Sequence, residues 1–199
     1  GLITDTEIHK KNLLRKKFKS KNQILSFEIS QKNKITKKIK KKDDVLNLIH
    51  SSANRNMHRA DRIIHLIKNL PFQIKKKTKL KMILKDYNGV IGNLINKYNL
   101  NDNVEILKRV KKNIFLKAVN NSDVCLGIFG NSNKSKNVIS NFIVTSCNYS
   151  KMIITKNTPA SKYYLRNNPS IFLMNNINDN SFLKVIKKII YTKKMSNLK

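Results

Sequence analysis

Residues 123–130 read Asp-Val-Cys-Leu-Gly-Ile-Phe-Gly and contain two of the five glycines in this 199-residue chain. The apolar run at 124–129 has the length and composition of a buried strand. Because glycine lacks a Cβ, the backbone at Gly127 and Gly130 can lie very close to another group, and we predict that this group is a ligand. The stretch therefore predicts a core strand that leads into a ligand-binding loop at 127–132.

On both sides of this stretch, short β-rich runs alternate with segments of helical periodicity. The predicted strands are 45–50, 80–84, 104–107, 124–129, 152–155 and 171–174. The predicted helices are 59–69, 89–98, 113–119, 135–147, 160–166 and 181–191. This alternation is typical of right-handed βαβ units. The sequence thus predicts an α/β fold, a Rossmann-like doubly wound parallel sheet of about six strands.

The first 43 residues follow a different pattern. We predict a short strand at 2–4, a helix through Leu13 and Leu14, a strand at 24–29 and a Lys-rich solvated linker at 32–42. The chain is accordingly divided into residues 1–43, one domain at 44–191 and a basic tail at 192–199. Because Gly1 lies at the edge of a predicted strand, we expect the chain to be the C-terminal part of a longer polypeptide.

The composition gives a strongly basic protein. Lys and Arg number 42 against 11 Asp and Glu, which gives a formal charge of +31. Such a field attracts phosphate, nucleic acid or anionic lipid. The excess is mostly lysine and accompanies abundant Asn and Ile, as expected where AT-rich codons fill permissive surface positions, so the charge alone is weak evidence for any one partner. Two cysteines indicate neither a disulfide framework nor a zinc site.

Five segments occur in the order and at the spacing found in a known enzyme family. They read LITDTEIH at 2–9, YNLNDNVEIL at 98–107, DVCLGIFG at 123–130, VISN at 138–141 and KMIITKNTPA at 151–160. These segments resemble the TDTE-x-H, GL-x-DNVEFLG, ADICLGIFG, VIPN and KPVIT-x-TPA motifs of the group-one, retaining GT-B glycosyltransferases. The resemblance extends over nearly the whole chain.

The resemblance implies a two-domain enzyme that moves a sugar from a UDP-type or GDP-type donor to an acceptor with retention of configuration. Residues 44–191 would be the second, nucleotide-sugar-binding domain of the GT-B fold, and residues 1–43 a short remnant of the first domain with its linker. The acceptor residues would lie on a first domain that precedes Gly1. The family needs no bound metal and no cofactor other than its nucleotide-sugar substrate.

The resemblance also places the donor on particular residues, although it leaves the catalytic residue unknown. Ligands of parallel sheets bind beyond the carboxyl ends of the strands, where helix N-termini favour phosphate. The matching motifs put the diphosphate beside the loop after the first strand of the sheet, the sugar or phosphate beside the second loop, and the ribose at the VISN helix. The predicted donor-binding residues are Arg55, His58, Arg59, Gly127, Gly130, Asn141 and Thr145.

Several family positions have changed in this chain. Ser52 and Arg59 stand where the family has glycines in the first loop, and Ser150 replaces the glycine before the KPVIT strand. Thr145 replaces a glutamate that holds the ribose hydroxyls. A threonine hydroxyl cannot offer the two charged oxygens that a vicinal diol uses, so we expect weaker donor binding.

Two other interpretations remain open from the sequence. The first is a degenerate α/β domain recruited to RNA, for example in an organellar ribosome, where the +31 charge would neutralise phosphates. The second is a catalytically inactive partner of a membrane-associated transferase. Lys184, Lys187 and Lys188 lie opposite an apolar helix stripe and suit an anionic membrane surface. We expect a cytoplasmic protein, peripheral to a membrane, with an organelle as the location under the RNA interpretation.

Overall fold

The computed structural model describes residues 2–4, 24–26, 45–52, 55–84, 89–108 and 110–197. Near the N-terminus, β1 (Leu2–Thr4) pairs in parallel with β2 (Ile24–Ser26) in a separate two-stranded sheet. Both strands were predicted, although residues 27–29 of the second prediction lie outside the described residues. The predicted helix through Leu13 and Leu14 and the predicted linker at 32–42 also lie outside them.

The main body is a six-stranded sheet in which every strand pair is parallel. Its strands are β3 (Leu46–Ser52), β4 (Thr78–Leu84), β5 (Val104–Leu107), β6 (Val124–Leu126), β7 (Met152–Lys156) and β8 (Ile171–Met174). Their spatial order is β5-β4-β3-β6-β7-β8. This arrangement confirms the predicted Rossmann-like α/β fold. The largest difference lies at β6, which ends at Leu126 rather than at residue 129.

Helices connect the strands. They are α1 (Arg55–His58), α2 (Ala60–Lys68), α3 (Phe72–Lys75), α4 (Val90–Lys97), α5 (Lys112–Asn121), α6 (Asn133–Asn137), α7 (Asn141–Asn148), α8 (Pro159–Leu165) and α9 (Asp179–Asn197). The four-residue helices α1 and α3 were not predicted. The predicted end of the last helix at residue 191 was wrong, because α9 continues to Asn197. The predicted single helix at 135–147 was also wrong, because extended backbone at Val138 and Ser140 divides it into α6 and α7.

The two faces of the sheet bury separate apolar cores. On β3, Leu46 and Leu48 face a core shared with α2, α4 and α9, whereas Ile49 faces a core shared with α5 and α7. Side chains alternate along a strand, so one strand supplies both cores. Burial of each large aliphatic side chain contributes about 1.5–3 kcal/mol. The predicted apolar stripe of α9 is confirmed as core-facing, since Phe182 and Ile186 are fully buried.

Two features lie at the amino-terminal edge of the sheet, a set of polar contacts at Asp123 and a left-handed turn at Ser150. The Asp123 carboxylate accepts hydrogen bonds from the Asn47 backbone amide at 2.8 Å and from Lys193 Nζ at 2.9 Å. These contacts give Asp123 a structural role and tie β6, β3 and the end of α9 together. Ser150, before β7, has φ 51°, the left-handed conformation that glycine adopts most readily. The backbone therefore keeps the shape that suits the glycine of the family motif.

Candidate functional site

The strand order reverses between β3 and β6. From β3 the chain moves outward through β4 to β5, and then returns to place β6 on the other side of β3. The loops that leave the carboxyl ends of β3 and β6 consequently lead to opposite faces of the sheet, where α2 and α7 pack, and we call the rim between these two carboxyl ends the crevice. Open parallel sheets bind their ligands at such a switch point. We take this crevice as the candidate site.

The loop after β3 forms one wall of the crevice. It leads through α1 to Arg59, whose φ of 50° and ψ of 57° place it in the left-handed region, where the chain turns into α2. The Arg59 guanidinium donates to both carboxylate oxygens of Asp61, with Nε to Oδ1 at 2.9 Å and Nη2 to Oδ2 at 2.8 Å. Arg59 thus occupies a backbone position where the family motif has glycine. The side chain of Arg55 lies outside the part of the chain that the structure describes.

A pair of buried histidines lies beneath this wall. The rings of His50, on β3, and His58, at the end of α1, are 5.9 Å apart in an edge-on arrangement. His50 Nδ1 lies 2.7 Å from the Leu126 carbonyl oxygen, so Nδ1 carries the proton and Nε2 presents a lone pair. Within the described residues, this buried Nε2 has no hydrogen-bond partner. The pKa of His50 is lowered to about 3, mainly because the ring is buried. The hydrogen bond to Leu126 opposes this shift, and the nearby His58 adds to it.

The loop after β6 forms the other wall and touches the first one at Gly130. The Gly130 amide donates to the Met57 carbonyl oxygen at 2.9 Å. A Cβ at Gly130 would lie 2.3 Å from the Asn56 carbonyl oxygen and 2.4 Å from that of Met57. The absence of a side chain is therefore required for the loop to reach the last turn of α1. The close approach that the sequence suggested is, in the structure, an approach to the protein's own backbone.

Gly127 begins the same loop and has an equivalent explanation. Its amide donates to the Ile154 carbonyl oxygen, and a Cβ there would lie 2.8 Å from Thr155 Oγ1. The Thr155 hydroxyl accepts from the Ile128 amide at 3.0 Å and donates to the Ile128 carbonyl at 3.1 Å. Thr155, which sequence reasoning missed, thus fastens the loop to β7. The proposed approach of Gly127 and Gly130 to a sugar or phosphate stays a prediction.

The beginning of α7 closes the back of the crevice. Ser140 caps the helix by accepting a hydrogen bond from the Ile143 amide. The Phe142 ring lies 6.5 Å from that of His50, and Ile143 lies beside Gly127. Asn141, the first helical residue, is exposed, whereas Thr145 is buried one turn later. The two predicted ribose residues are therefore on a helix that abuts both walls, and their contact with a ribose is untested.

Lys156 joins β7 to the loop after β6. Lys156 is the last residue of β7, and its Nζ contacts Asn131 Oδ1 in the loop after β6. Burial, followed by the positive charges of Arg62 and Lys136, lowers the pKa of Lys156. Arg62, on α2, donates to the Ile177 carbonyl oxygen in the loop after β8. In the sequence, Lys156 is marked by its position at the end of an apolar run. The many other lysines of the chain make this position hard to recognise.

A second groove lies at the opposite, amino-terminal edge of the sheet. It encloses about 390 Å³ between β3, β4, β5 and the end of α5. Its lysines are already engaged, because Lys81 pairs with Glu105 at 3.1 Å and Lys79 donates to the Asp102 carbonyl. Over the described ranges, no group of three or more His, Cys, Asp or Glu side chains could hold a metal ion. No described helix is both long enough and apolar enough to cross a membrane.

Comparison with solved structures identifies the fold. The glycosyltransferase WaaG, involved in lipopolysaccharide biosynthesis, superposes with a TM-score of 0.71 at 14% identity, covering 98% of this chain and 55% of WaaG. The pneumococcal O-GlcNAc transferase GtfA, solved with UDP and GlcNAc, gives 0.70 at 10% identity over 98% of this chain and 38% of GtfA. Sucrose-phosphate synthase from Thermosynechococcus elongatus gives 0.72 at 11% identity over 96% of this chain and 49% of that enzyme. No protein-family model and no curated protein sequence matches.

The likeness shows the fold, and this is the fold that the motif resemblance implied. The chain has a GT-B glycosyltransferase fold, and it spans about half the length of these enzymes or less. The enzymes named by these structures act on sugars, and GtfA was solved with a nucleotide bound. Nothing in them supports the RNA-binding interpretation.

Proposed function

We propose that this chain is the donor-binding part of a retaining glycosyltransferase that uses a UDP-type or GDP-type sugar, and that it corresponds to the second domain of the GT-B fold. The observation that carries the proposal is the crevice at the β3–β6 switch point, in a fold shared over 98% of the chain with enzymes such as WaaG. The acceptor would be held by a first domain.

Each wall of the crevice has a distinct task under this proposal. The α1–α2 turn, with Arg55, His58 and Arg59, borders the diphosphate, while the loop at Gly127 and Gly130 borders the sugar. The first turn of α7 receives the ribose, with Asn141 and Thr145 in place of the stronger glutamate contact. Among the described residues, the first turns of α6, α7 and α8 contain no carboxylate that would repel an anionic ligand.

The direct test is nucleotide binding by the whole 199-residue chain. Isothermal titration calorimetry with UDP, GDP and uridine should give saturable binding of one nucleoside diphosphate with a Kd of about 1 μM to 1 mM. Uridine, which lacks phosphates, should bind more weakly. Absence of saturable binding of both diphosphates up to the millimolar range would contradict the proposal.

A histidine pair provides matched variants. His58→Gln changes a buried ring at the crevice wall, whereas His65→Gln changes an exposed ring on α2 that contacts the Tyr98 ring at a tilt. We expect His58→Gln to weaken binding of the diphosphate and His65→Gln to leave it unchanged. The melting temperature of each variant shows whether a loss of binding follows from a loss of folding. Equal binding by both variants would remove His58 from the site.

The location that we propose is the cytoplasmic face of a membrane. The structure leaves Lys184, Lys187 and Lys188 exposed on α9 while the opposite stripe is buried. Lysines near an anionic surface contribute about 1 kcal/mol each. The chain should therefore sediment together with phosphatidylglycerol vesicles. A variant with all three lysines replaced by glutamine should stay in the supernatant. Equal sedimented fractions of both proteins would contradict a membrane role for this face.

A further inference from the structure

The short helix α3 presents an apolar side chain at the surface. Phe72 is 69% exposed, the highest value for a large apolar residue in the part of the chain that the structure describes. Ile74, on the same helix, packs against the core that α2, α4 and α9 share. The helix thus buries one of its two apolar side chains and exposes the other.

Hydrogen bonds at both flanking strands hold α3 in this orientation. Thr78, the first residue of β4, donates from Oγ1 to the Ile74 carbonyl oxygen at 2.8 Å. Asn103, directly before β5, donates from Nδ2 to the Lys75 carbonyl oxygen at 2.8 Å and to that of Thr78 at 3.0 Å. The exposed ring of α3 therefore stands on a turn that is tied to the start of two strands.

Lysines and a second aromatic ring adjoin Phe72. Residues three apart on a helix share one face, which places Lys75 beside Phe72. Lys75 Nζ donates to the Lys68 carbonyl oxygen at 3.0 Å. Lys68 Nζ lies 4.5 Å and Lys97 Nζ 5.9 Å from the centre of the Tyr98 ring. We call Lys68, Phe72, Lys75, Lys97 and Tyr98 the α3 patch.

Carboxylates leave the charge of the α3 patch uncompensated. The sequence contains no Asp or Glu between Asp61 and Asp86. Over the described ranges, no salt bridge involves Lys68, Lys75 or Lys97. These lysines are the last residues of α2, α3 and α4, where the helix dipole favours cations. The dipole does not explain why an exposed phenylalanine lies among them.

The α3 patch lies at the edge of the sheet opposite the crevice. The helices α2 and α3 lead into β4, and α4 leads into β5, so their carboxyl ends lie where those strands begin. The crevice lies where β3 and β6 end. A surface bound to the α3 patch would therefore leave the crevice open to a soluble ligand.

We propose that the α3 patch docks this chain on an anionic lipid surface, with Phe72 inserted below the headgroups and the three lysines on the lipid phosphates. Such a surface offers acyl chains to the ring and negative charge to the ammonium groups. The Tyr98 ring suits the same boundary. The inference rests on the proposed membrane location and adds an inserted residue to the charges of α9. Because α2, α4 and α9 cover the same face of the sheet, the two surfaces are compatible with one membrane.

Insertion is tested by tryptophan fluorescence, because the chain contains no tryptophan. Phe72→Trp reports on the α3 patch. Tyr163→Trp is the matched control, because Tyr163 is 65% exposed on α8, which packs on the other face of the sheet. With vesicles of phosphatidylglycerol and phosphatidylcholine, the Phe72→Trp emission should shift to shorter wavelength and be quenched by brominated acyl chains, while the Tyr163→Trp emission stays unchanged. Equal quenching of both variants, or of neither while the chain is bound, would overturn the inference.

Sedimentation of the whole chain with the same vesicles measures the contribution of each group. Phe72→Ser should weaken vesicle binding about tenfold, since the ring loses its apolar burial. Lys68→Gln combined with Lys97→Gln should also weaken it about tenfold. Lys134→Gln combined with Lys162→Gln, which removes the same charge from exposed positions on α6 and α8, should change it less than twofold.

The remaining outcomes separate this inference from the proposals on which it rests. If the unchanged chain does not bind anionic vesicles, the inference and the membrane location both fail, and calorimetry with UDP decides the transferase proposal independently. Vesicle binding that requires the α9 lysines but not Phe72 would keep the location and overturn the α3 patch. Equal loss in the α6 and α8 control would reduce the patch to general surface charge and overturn it. Weaker binding of single-stranded RNA by Phe72→Ser, with unchanged vesicle binding, would assign the patch to nucleic acid instead.

Discussion

Gly130 provides the most specific test of the crevice architecture. Its replacement by alanine would put a Cβ 2.3 Å from the Asn56 carbonyl oxygen and 2.4 Å from that of Met57. Ordinary carbon-to-carbonyl-oxygen contacts are about 3.3–3.6 Å, so the loop and α1 must separate by about 1 Å. Both obstructing atoms belong to the backbone and cannot rotate away. The strain therefore reaches the contact between the two walls of the crevice.

The cost can be estimated from two contributions. Overpacking by one methyl group typically costs about 1–3 kcal/mol. The separation also weakens the 2.9 Å hydrogen bond from the Gly130 amide to Met57, which is worth about 0.5–1.5 kcal/mol. We expect Gly130→Ala to lower the free energy of unfolding by about 2–4 kcal/mol, a large part of the 5–15 kcal/mol typical of a domain.

Urea unfolding followed by circular dichroism measures this change. Gly89→Ala is the matched control, because Gly89 has a φ of 65° and, among the described residues, its Cβ position would meet only Asn93, at 4.0 Å. Its replacement should cost about 1–2 kcal/mol from backbone strain alone. If Gly130→Ala proves no more destabilising than Gly89→Ala, then the contact between the loop after β6 and α1 is not as close as described.

Three further outcomes are expected. Ser150→Gly should raise the free energy of unfolding by about 1 kcal/mol in urea, because φ at this residue is 51°, and a neutral effect would argue against that left-handed turn. Because burial lowers the pKa of His50 to about 3, the unfolded chain binds a proton below pH 6.5 that the folded chain does not, and stability should fall by about 1.4 kcal/mol per pH unit on acidification. The His50→Leu variant should lack this pH dependence when its free energy of unfolding is measured in urea between pH 7 and 4.5. The same change per pH unit in both proteins would contradict the prediction. Thr145→Glu should bind UDP about tenfold more tightly than Thr145→Gln in calorimetry, and equal affinities would separate residue 145 from the ribose.

The architecture was largely readable from the sequence because it depends on local pattern. A buried parallel strand is a short apolar run, and each such run here is followed by a helix, so all six strands were predicted. The break between α6 and α7 was missed because it depends on extended backbone at Val138 and a cap from Ser140. Serine favours turns as well as helix caps, so its residue type alone does not mark the break.

The site was less predictable, because its contacts join residues that are distant in the chain. Nothing near Gly127 in the sequence indicates that Thr155 will hydrogen-bond to its loop. The pairing of Arg59 with Asp61 joins residues two positions apart, but the sequence does not show that the two side chains turn toward each other. The same limit applies to the interpretation of glycine. A glycine marks a place where backbone comes close to something, but the sequence does not name the second partner.

At Gly127 and Gly130 that partner is the chain itself, and this changes what the loop can offer a ligand. A loop fixed at one end by Thr155 and at the other by the Met57 carbonyl has little freedom to adapt when a ligand arrives. The amides of Gly127, Ile128 and Gly130 hold it there, so these three are already used within the protein. At the border of the loop, the Asn131 side-chain oxygen accepts a hydrogen bond from Lys156 at the end of β7. The shape of this loop therefore depends on long-range contacts with β7 and α1 rather than on residues close to it in the sequence.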